Sequence, residues 1–432
     1  MTLDAPASLP ELAEGLAAGT LDLLAYLGEL EAHFAAREGE IHAFVPEPGR
    51  FDRLRREAET LLHHHPDPAQ RPPLFGVPVG VKDIFHVQGF ATRAGSALPP
   101  DVLAGQEAAA VSRLKAAGAL ILGKTVTTEF ASFAPGPTRN PHHLAHTPGG
   151  SSSGSAAALA AGLAPLTLGT QTIGSVARPA SFCGVVGTKP TYDRVSRAGV
   201  IPVSPFLDHV GWFTLDVAGA HLVASLLCHD WRSEVPRRAP VAGIPEGPYL
   251  ERATAEGLEL FRGACERLKA AGLEIKPVPL FADFEQIEAR HQRLFDGEMA
   301  RTHEAWFRRY ENLYRPKTVE ILLRGRRVRD EQLVADRAGR AAVRAELEAA
   351  MAEHEVDLWV SPSATGPAPL GLDATGDPIM NLPWTQAGVP TVTVPAGRAA
   401  NGLPFGLQIA GRFGEDEALL AWARPIEREL GG

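Results

Sequence analysis

The sequence predicts a single large α/β domain, and two local patterns carry that prediction. Residues 107–117 have the apolar spacing of an amphipathic helix, and residues 119–122 form a short apolar run typical of a strand. Residues 74–81 are apolar on both faces, as in a buried strand. The chain has 432 residues, 45% of them hydrophobic and 22% charged, so it can enclose a large core. No repeat or low-complexity linker divides it.

The remaining elements follow from the same periodicities. Two helices precede the first strand, and an alanine-rich helix and a further strand follow the second one, at 10–36, 51–62, 156–161 and 166–169. Four long helices are predicted after that, at 216–228, 252–271, 283–312 and 330–354. Strand candidates in the second half are 274–278, 358–360 and 391–394. The helical stretch 217–355 is the most separable part of the predicted domain.

Composition excludes several classes of function. The formal net charge of −9 repels phosphate backbones, so we expect no nucleic-acid partner. The longest mostly apolar stretch, 156–169, is shorter than the roughly 18 to 20 residues of a membrane span, so we expect no membrane association. Three cysteines in a chain of this length form no disulfide framework, which favours a reducing compartment, the cytoplasm.

Three short motifs suggest chemistry that their context does not support. Residues 118–125 match a phosphate-binding loop, but the four residues between its glycines favour a strand. Ser152 is the centre of a Gly-x-Ser-x-Gly sequence, but a loop precedes it where a nucleophile elbow needs a strand. The histidines at 63–65 and 142–146 lack the spacing of metal ligands, so we expect no metal and no cofactor.

A stronger signal comes from three segments taken together. These are Gly-Val-Pro-Val-Gly-Val-Lys-Asp at 76–83, Gly-Gly-Ser-Ser-Ser-Gly-Ser at 149–155, and Gly-Thr-Gln-Thr-Ile-Gly-Ser at 169–175, which runs into 179–190. Over residues 72–215, and more thinly to residue 432, the chain resembles the amidase signature family, serine hydrolases with a Ser-Ser-Lys triad. The resemblance implies a central mixed, twisted β-sheet covered by helices, in one amidase domain over 1–432.

By motif position, the resemblance implies that Ser175 is the nucleophile, Ser151 a bridging serine on a cis peptide bond, and Lys82 the base. A serine hydroxyl is a weak nucleophile and needs a base within hydrogen-bond reach. Lys82 can be that base near pH 7 only if its pKa falls from about 10.4 to near 7, which costs about 4 kcal/mol. Burial beneath the preceding apolar run would do this. An exposed Lys82 paired with Asp83 would instead stay charged and inert.

The resemblance also implies a substrate-binding set. The backbone N–H groups of Thr172, Ile173, Gly174 and Ser175 would form an oxyanion hole, and Ala131 would belong to an acyl pocket built from 130–132 and parts of 300–385. The expected activity is hydrolysis of a small-molecule amide through an acyl-enzyme. The sequence does not determine the oligomeric state, and a homodimer is compatible with it.

The chain departs from the usual family pattern beside the nucleophile. Gln171 stands for an aspartate, Ile173 for a glycine and Ala177 for an arginine, while Arg178 follows one place later. We interpret the changes at 171, 177 and 178 as the joint loss of one ion pair, and β-branched Ile173 would resist a positive φ. Ile173 leaves open that the chain is a catalytically silent amidase-like binding subunit. Within the family a glutamyl-tRNA amidotransferase subunit is a second alternative, which the acidic net charge disfavours.

Overall fold

A mixed sheet of ten strands runs through the part of the chain that the structure describes, residues 8–431 without 233–235 and 237. The structure is a computed structural model. The strands are β1 (Pro78–Lys82), β2 (Leu120–Thr125), β3 (Leu166–Gln171), β4 (Val186–Lys189), β5 (His209–Thr214), β6 (Val241–Glu246), β7 (Glu274–Pro279), β8 (Leu358–Pro362), β9 (Thr391–Arg398) and β10 (Pro404–Ala410). Their order across the sheet is β2-β1-β3-β5-β4-β9-β10-β8-β6-β7.

Parallel pairing is confined to the two ends of the sheet. Strands β2, β1 and β3 are parallel at one end, and β8, β6 and β7 are parallel at the other. The central strands pair antiparallel. The predicted central mixed sheet is therefore confirmed.

Helices flank this sheet. They are α1 (Leu9–Ala18), α2 (Leu23–Ile41), α3 (Arg50–His64), α4 (Ala109–Ala116), α5 (Ser153–Ala160), α6 (Ala177–Cys183), α7 (Val217–Leu227), α8 (Ala255–Ala270), α9 (Phe284–Thr302), α10 (Glu304–Tyr310), α11 (Pro316–Gly325), α12 (Asp330–Glu353), α13 (Leu382–Ala387) and α14 (Asp416–Leu430). Within the described residues, none of them combines the length and apolar character that crossing a bilayer requires.

The second half of the chain continues the same core. Strands β6 and β7 extend the sheet that the first half begins, and α9 packs against α11, α12 and α13. The helix predicted over 283–312 is divided, because α9 ends at Thr302 and α10 starts at Glu304. Helix α6 and strands β5, β6 and β10 were not predicted from the sequence.

The parallel strands β1 and β3 lie side by side, and their order sets the position of the motif residues. Lys82 is the last residue of β1 and Gln171 is the last residue of β3. Because the carboxyl ends of adjacent parallel strands meet at one edge of a sheet, residues following both strands come close together there. Helix α5 packs against β1, β2 and β3 and begins two residues after Ser151.

Close packing of α5 depends on Gly154. A Cβ at this position would lie 2.2 Å from the Ala43 carbonyl oxygen and 2.4 Å from the Val126 nitrogen, both of them backbone atoms that cannot rotate away. The N–H of Gly154 also donates to the Val126 carbonyl at 2.9 Å. The first turn of α5 is therefore in direct contact with the backbone that follows β2.

We predict that Gly154→Ala lowers the free energy of unfolding by about 2 kcal/mol or more, because the added methyl group forces α5 away from its neighbours. Gly263→Ala is the control, since Gly263 lies exposed within α8 with no atom within 4 Å of the new Cβ. That variant should gain up to about 1 kcal/mol from helix propensity. Urea unfolding measures both, and equal stability of the two variants would contradict the packing argument.

Candidate active site

Lys82 lies fully buried at the carboxyl end of β1, with 0% of its surface exposed. Its Nζ donates hydrogen bonds to Ser151 Oγ at 2.7 Å and to Thr170 Oγ1 at 2.8 Å. Burial lowers the pKa of Lys82 well below its ordinary value, while the nearby Asp208 carboxylate acts in the opposite direction. Its hydrogen-bond partners are two neutral hydroxyls, which favours an uncharged amine.

The neighbouring acid does not neutralise this lysine. Asp83 forms an ion pair with Lys124 at 2.7 Å, and Lys124 Nζ also donates to the Phe85 carbonyl at 2.8 Å. An exposed Lys82 paired with Asp83 is thus excluded. Lys124 is the lysine of the motif at 118–125 that matches a phosphate-binding loop. These contacts hold its amine in the protein interior, where it is not available to a phosphate.

Ser151 lies at the start of the turn that leads into α5. The peptide bond between Gly150 and Ser151 is cis, as the resemblance implies. Ser151 is buried, and its carbonyl accepts a hydrogen bond from the Thr128 N–H at 3.2 Å. Its neighbour Ser152 donates to the Thr170 carbonyl at 3.2 Å, so the hydroxyl of Ser152 has a structural contact.

Ser175 follows β3 and borders a narrow pocket with an internal volume of about 10 Å³, which is room for about one water molecule. It is 8% exposed. The cavity is lined by Ala131, Ser132, Phe133, Thr172, Ile173, Ser175, Arg178, Phe295 and Pro378. In the described chain, the backbone N–H groups of Ile173, Gly174 and Ser175 donate to no protein acceptor, so they are available to a bound oxygen. Pro378 lies in the predicted range 300–385, whereas Phe133 and Phe295 are pocket residues outside the ranges predicted from the sequence.

Ala131 reaches this cavity through an unusual backbone. Phe130 and Ala131 have φ values of +48° and +53°, in the left-handed region that non-glycine residues seldom adopt. The turn is held by the Thr128 hydroxyl, which donates to the Ser132 carbonyl at 2.8 Å, and by the Ser132 hydroxyl, which donates to the Glu129 carbonyl at 2.6 Å. No glycine marks this geometry in the sequence.

Gln171 fixes the backbone on both sides of Ser175. Its Oε1 accepts hydrogen bonds from the N–H groups of Val176 and Ala177, both at 2.9 Å. Its Nε2 donates to Thr385 Oγ1 at 2.9 Å, and that hydroxyl donates to the Ile173 carbonyl at 2.6 Å. The amide thus binds two N–H groups at the start of α6, where an aspartate would bring a charge.

Thr172 is held from two further elements. Its hydroxyl donates to Asp208 at 2.7 Å, and its carbonyl contacts His291 Nε2 at 3.0 Å. Burial raises the pKa of Asp208 to about 6, and it lowers the pKa of His291 to about 3. His291 is therefore a neutral donor near pH 7. The loop before Ser175 is thus anchored by Gln171 within the motif and by Asp208, His291 and Thr385 from distant parts of the sequence.

The remaining departures also have structural explanations. Ile173 is absent from the described residues with positive φ, so its β-branched side chain meets no backbone strain there. Arg178 donates to the Gly150 carbonyl at 2.6 Å and to the Thr375 hydroxyl at 3.1 Å. The interpretation as a lost ion pair is refined accordingly: Gln171 binds backbone N–H groups, and Arg178 contacts the segment that carries Ser151.

Several residues of this site were missed or left without a role at the level of sequence. Thr170 lies inside the quoted segment 169–175, where its position was a signal that went unused, and Arg178 was noted only as part of a lost ion pair. Asp208, His291 and Thr385 lie on other elements, and only the fold brings them to the loop. Among the described residues, no group of three or more His, Cys, Asp or Glu side chains is arranged to hold a metal ion.

Comparisons with known proteins match this chain over most of its length. The family model described as Amidase matches residues 49–420. The chain is 33% identical to a subunit of the glutamyl-tRNA(Gln) amidotransferase of Acidobacterium capsulatum, with 93% of this chain and 94% of that protein covered. The corresponding protein of Roseiflexus sp. is 31% identical, with 97% and 96% covered.

Solved structures give the same result. A crystal structure described as an amidase superposes with a TM-score of 0.89 at 34% identity, covering 98% of this chain and all of that one. Peptide amidase from Stenotrophomonas maltophilia superposes with a TM-score of 0.82 at 27% identity, covering 99% and 97%. The similarity thus spans the whole fold rather than the motif alone.

The buried amine predicts a specific pH dependence of stability. A pKa that is lower in the folded state means that the unfolded chain binds more protons, so stability rises with pH up to about 10.4. We expect Lys82→Met to remove up to about 1.4 kcal/mol per pH unit from that slope between pH 7 and 10. Lys189, whose pKa burial lowers to about 7, retains part of the slope in the variant.

Denaturant unfolding at several pH values checks this prediction. Lys269→Met, at a half-exposed position of α8, is the matched control and should keep the wild-type slope. If the Lys82→Met and Lys269→Met slopes coincide, Lys82 is charged in the folded protein and the site lacks its base.

Proposed function

The chain belongs to the amidase family, and from that membership and the site geometry we propose that it is a serine amidohydrolase acting on small-molecule carboxamides. The observation that carries the proposal is the 2.7 Å hydrogen bond between the fully buried Lys82 amine and Ser151 Oγ. In this proposal Ser175 is the nucleophile, Ser151 relays its proton and Lys82 is the base. Ala131, Thr172, Ile173 and Gly174 contact the substrate.

The first half of the reaction forms an acyl-enzyme. Neutral Lys82 takes the proton of Ser151 while Ser151 takes the proton of Ser175, and Ser175 Oγ bonds to the amide carbon. The carbonyl π electrons move to the oxygen, where the free N–H groups before Ser175 stabilise the negative charge. When the carbonyl re-forms, the C–N bond breaks, and the leaving nitrogen receives the proton from Lys82 through Ser151.

The second half releases the acid. A water molecule loses its proton to Lys82 through Ser151 and attacks the ester carbon, and the C–O bond to Ser175 then breaks. Ser175 regains the proton by the same relay, so the enzyme returns to its starting state. Every proton transfer passes through a side chain of the site. The two products, the acid and the amine, together contain all the atoms of the amide and the water.

A second candidate comes from the curated relatives, which are named as one of the subunits of glutamyl-tRNA(Gln) amidotransferase and match nearly the full chain. A protein of that kind would use the same site but depend on other chains for its complete reaction. Amine release from simple amides by the purified chain alone supports the hydrolase. Activity that appears only with partner chains and ATP supports the amidotransferase role.

We predict that a fluorophosphonate probe labels the wild-type protein covalently and that Ser175→Ala abolishes the label, because the probe reacts with an activated serine hydroxyl. Lys82→Ala and Ser151→Ala should reduce the labelling rate by about 10³-fold or more, since the relay acts as a unit. Intact-protein mass spectrometry measures both. Ser152→Ala is the control and should label.

Retention of the label in Ser175→Ala would show that the nucleophile is misassigned. A wild-type protein that stays unlabelled would favour the catalytically silent binding subunit instead.

The pH dependence of amide hydrolysis tests the role of Asp208. Activity requires neutral Lys82, so the rate falls as the pH decreases through the folded pKa of Lys82. The Asp208 carboxylate raises that pKa. Asp208→Asn should therefore move the acid limb of kcat to lower pH, by roughly half a pH unit or more, in the range above pH 6 where Asp208 is ionised.

Thr172→Val is the matched control for this measurement. It removes the hydrogen bond from Thr172 to Asp208 but leaves the carboxylate in place. We expect a lower kcat with the limb at its wild-type position. An equal shift in both variants would mean that loop geometry, and not the charge, sets the pH profile.

A further inference from the structure

We propose that Ile173 is a specificity-determining residue, whose side chain closes the acyl side of the pocket beside Ser175 to substituents of more than one non-hydrogen atom. The acyl side is the side of the reacting carbonyl away from the leaving nitrogen. This inference rests on the proposed function, because it names the substrate class of the same site: amides with the shortest acyl groups. The usual family pattern has a glycine at this position, so the restriction is a property of this chain.

The pocket has little room beyond the nucleophile. Its internal volume of about 10 Å³ is room for about one water molecule. Ser175 is 8% exposed, so the reacting carbonyl and the leaving nitrogen can approach its hydroxyl from the solvent side. The enclosed part of the pocket then receives only the acyl substituent, and a water-sized space holds about one non-hydrogen atom.

Apolar side chains form one part of the pocket wall, those of Ala131, Phe133, Ile173, Phe295 and Pro378. The rings of Phe133 and Phe295 pack edge to face with their centroids 5.7 Å apart, and Phe295 is buried. Side chains packed at the density of a protein interior yield only at a cost in free energy. The aromatic part of the wall therefore does not widen readily for a longer acyl chain.

The backbone at Ile173 and Gly174 is fixed by its neighbours. The Thr385 hydroxyl donates to the Ile173 carbonyl at 2.6 Å. A Cβ at Gly174 would lie 2.2 Å from Asn381 Oδ1, so the loop packs directly against this buried side chain. Asn381 is held in turn, because its Nδ2 donates to Gln408 Oε1 at 3.0 Å. The loop thus has no free space into which it could shift to enlarge the pocket.

The side chain of Ile173 is itself a stiff part of the wall. A β-branched side chain has few allowed χ1 rotamers, and Ile173 is buried within the main hydrophobic core. Ile173 is absent from the described residues with positive φ, so the backbone accommodates it without strain. A glycine here would remove four carbon atoms from the wall. The bulk that distinguishes this chain from the family pattern is therefore held in place beside the nucleophile.

The test measures amide hydrolysis as a function of acyl length. Formamide, urea, acetamide, propionamide and butyramide are assayed with the wild-type protein by release of ammonia. We expect kcat/KM to fall by about 10-fold or more from acetamide to propionamide, because one methylene too many presses against a close-packed wall. Values of kcat/KM for propionamide and butyramide that equal the value for acetamide would overturn the proposal.

Substitutions at Ile173 identify the group responsible. The ratio of kcat/KM for propionamide to that for acetamide should rise by about 10-fold or more in Ile173→Gly, with Ile173→Ala intermediate. Each ratio is taken within one variant, so a general loss of activity does not affect it. Val176→Ala is the matched control, because the Val176 methyl groups are buried against Gly187 and Gly211 and do not line the pocket. A wild-type ratio in both Ile173 variants would overturn the proposal.

A binding measurement on the wild-type protein separates this proposal from the proposed function and needs no variant. In an alkylboronic acid adduct, Ser175 Oγ bonds to boron, its proton passes to Lys82 through Ser151, and boron becomes tetrahedral with its alkyl group beside the serine. Methyl-, ethyl- and propylboronic acid are compared by their protection of Ser175 from the fluorophosphonate probe. We expect methylboronic acid to protect at a concentration about 10-fold lower than propylboronic acid, the reverse of the order that burial of apolar surface alone would give.

The outcomes of this measurement are distinct for the two proposals. Preference for the methyl compound supports the role of Ile173 even if no amide in the series is hydrolysed. Protection by propylboronic acid at an equal or lower concentration overturns that role, while labelling of Ser175 leaves the amidohydrolase proposal standing. A protein that the probe does not label overturns both.

Discussion

The buried amine of Lys82 is the interaction on which the rest of this site depends. Strands β2 and β3 enclose it on both sides of β1, and its described hydrogen-bond partners are the hydroxyls of Ser151 and Thr170. A carboxylate in either place would hold the proton on the nitrogen. Successive side chains of an extended strand point to opposite sides, and Asp83 accordingly pairs with Lys124. The acid next in sequence is thereby kept from the amine that must be neutral.

The loop before Ser175 obeys the same electrostatic constraint. It is held mainly by neutral groups, the amide of Gln171, the hydroxyl of Thr385 and the imidazole of His291. Asp208 is a charged anchor. Burial raises its pKa to about 6, so below that pH the carboxyl group is mostly protonated and exerts little field on Lys82. Rigid anchoring is thus achieved with little added charge near the base.

The helices and strands that could be predicted are those with a long, local pattern in the sequence. Helices α8 and α12 begin and end within a few residues of their predicted limits because their apolar periodicity is long. Strand β6 was missed because its six residues include a glycine and a proline, which resemble a turn. Helix α6 has Pro179 in its first turn, where proline is tolerated, but the surrounding glycines and serines obscured it.

The residues of the site likewise fall into those with a sequence motif and those that only the fold brings together. Lys82, Ser151 and Ser175 lie in recognisable motifs, so their candidacy followed from the sequence. Asp208 and His291 carry no motif of their own and become relevant only because β5 pairs with β3 and α9 lies over the loop. The left-handed backbone at Ala131 has no glycine to mark it in the sequence, because the hydroxyls of Thr128 and Ser132 hold the turn instead.

Burial acts on two cationic side chains in this site with opposite results. A lysine amine loses its proton readily when desolvated, so burial lowers the pKa of Lys82 between its two hydroxyl partners. A guanidinium resists deprotonation far more strongly, so Arg178 keeps its charge in a comparable environment, where its Nε has no partner among the described residues. The difference in intrinsic basicity therefore separates a side chain that can lose its proton from a fixed cation, which donates to the backbone carbonyls of Gly376 and Gly150. An arginine in place of Lys82 would be a permanent cation between Ser151 and Thr170 and could not accept a proton there.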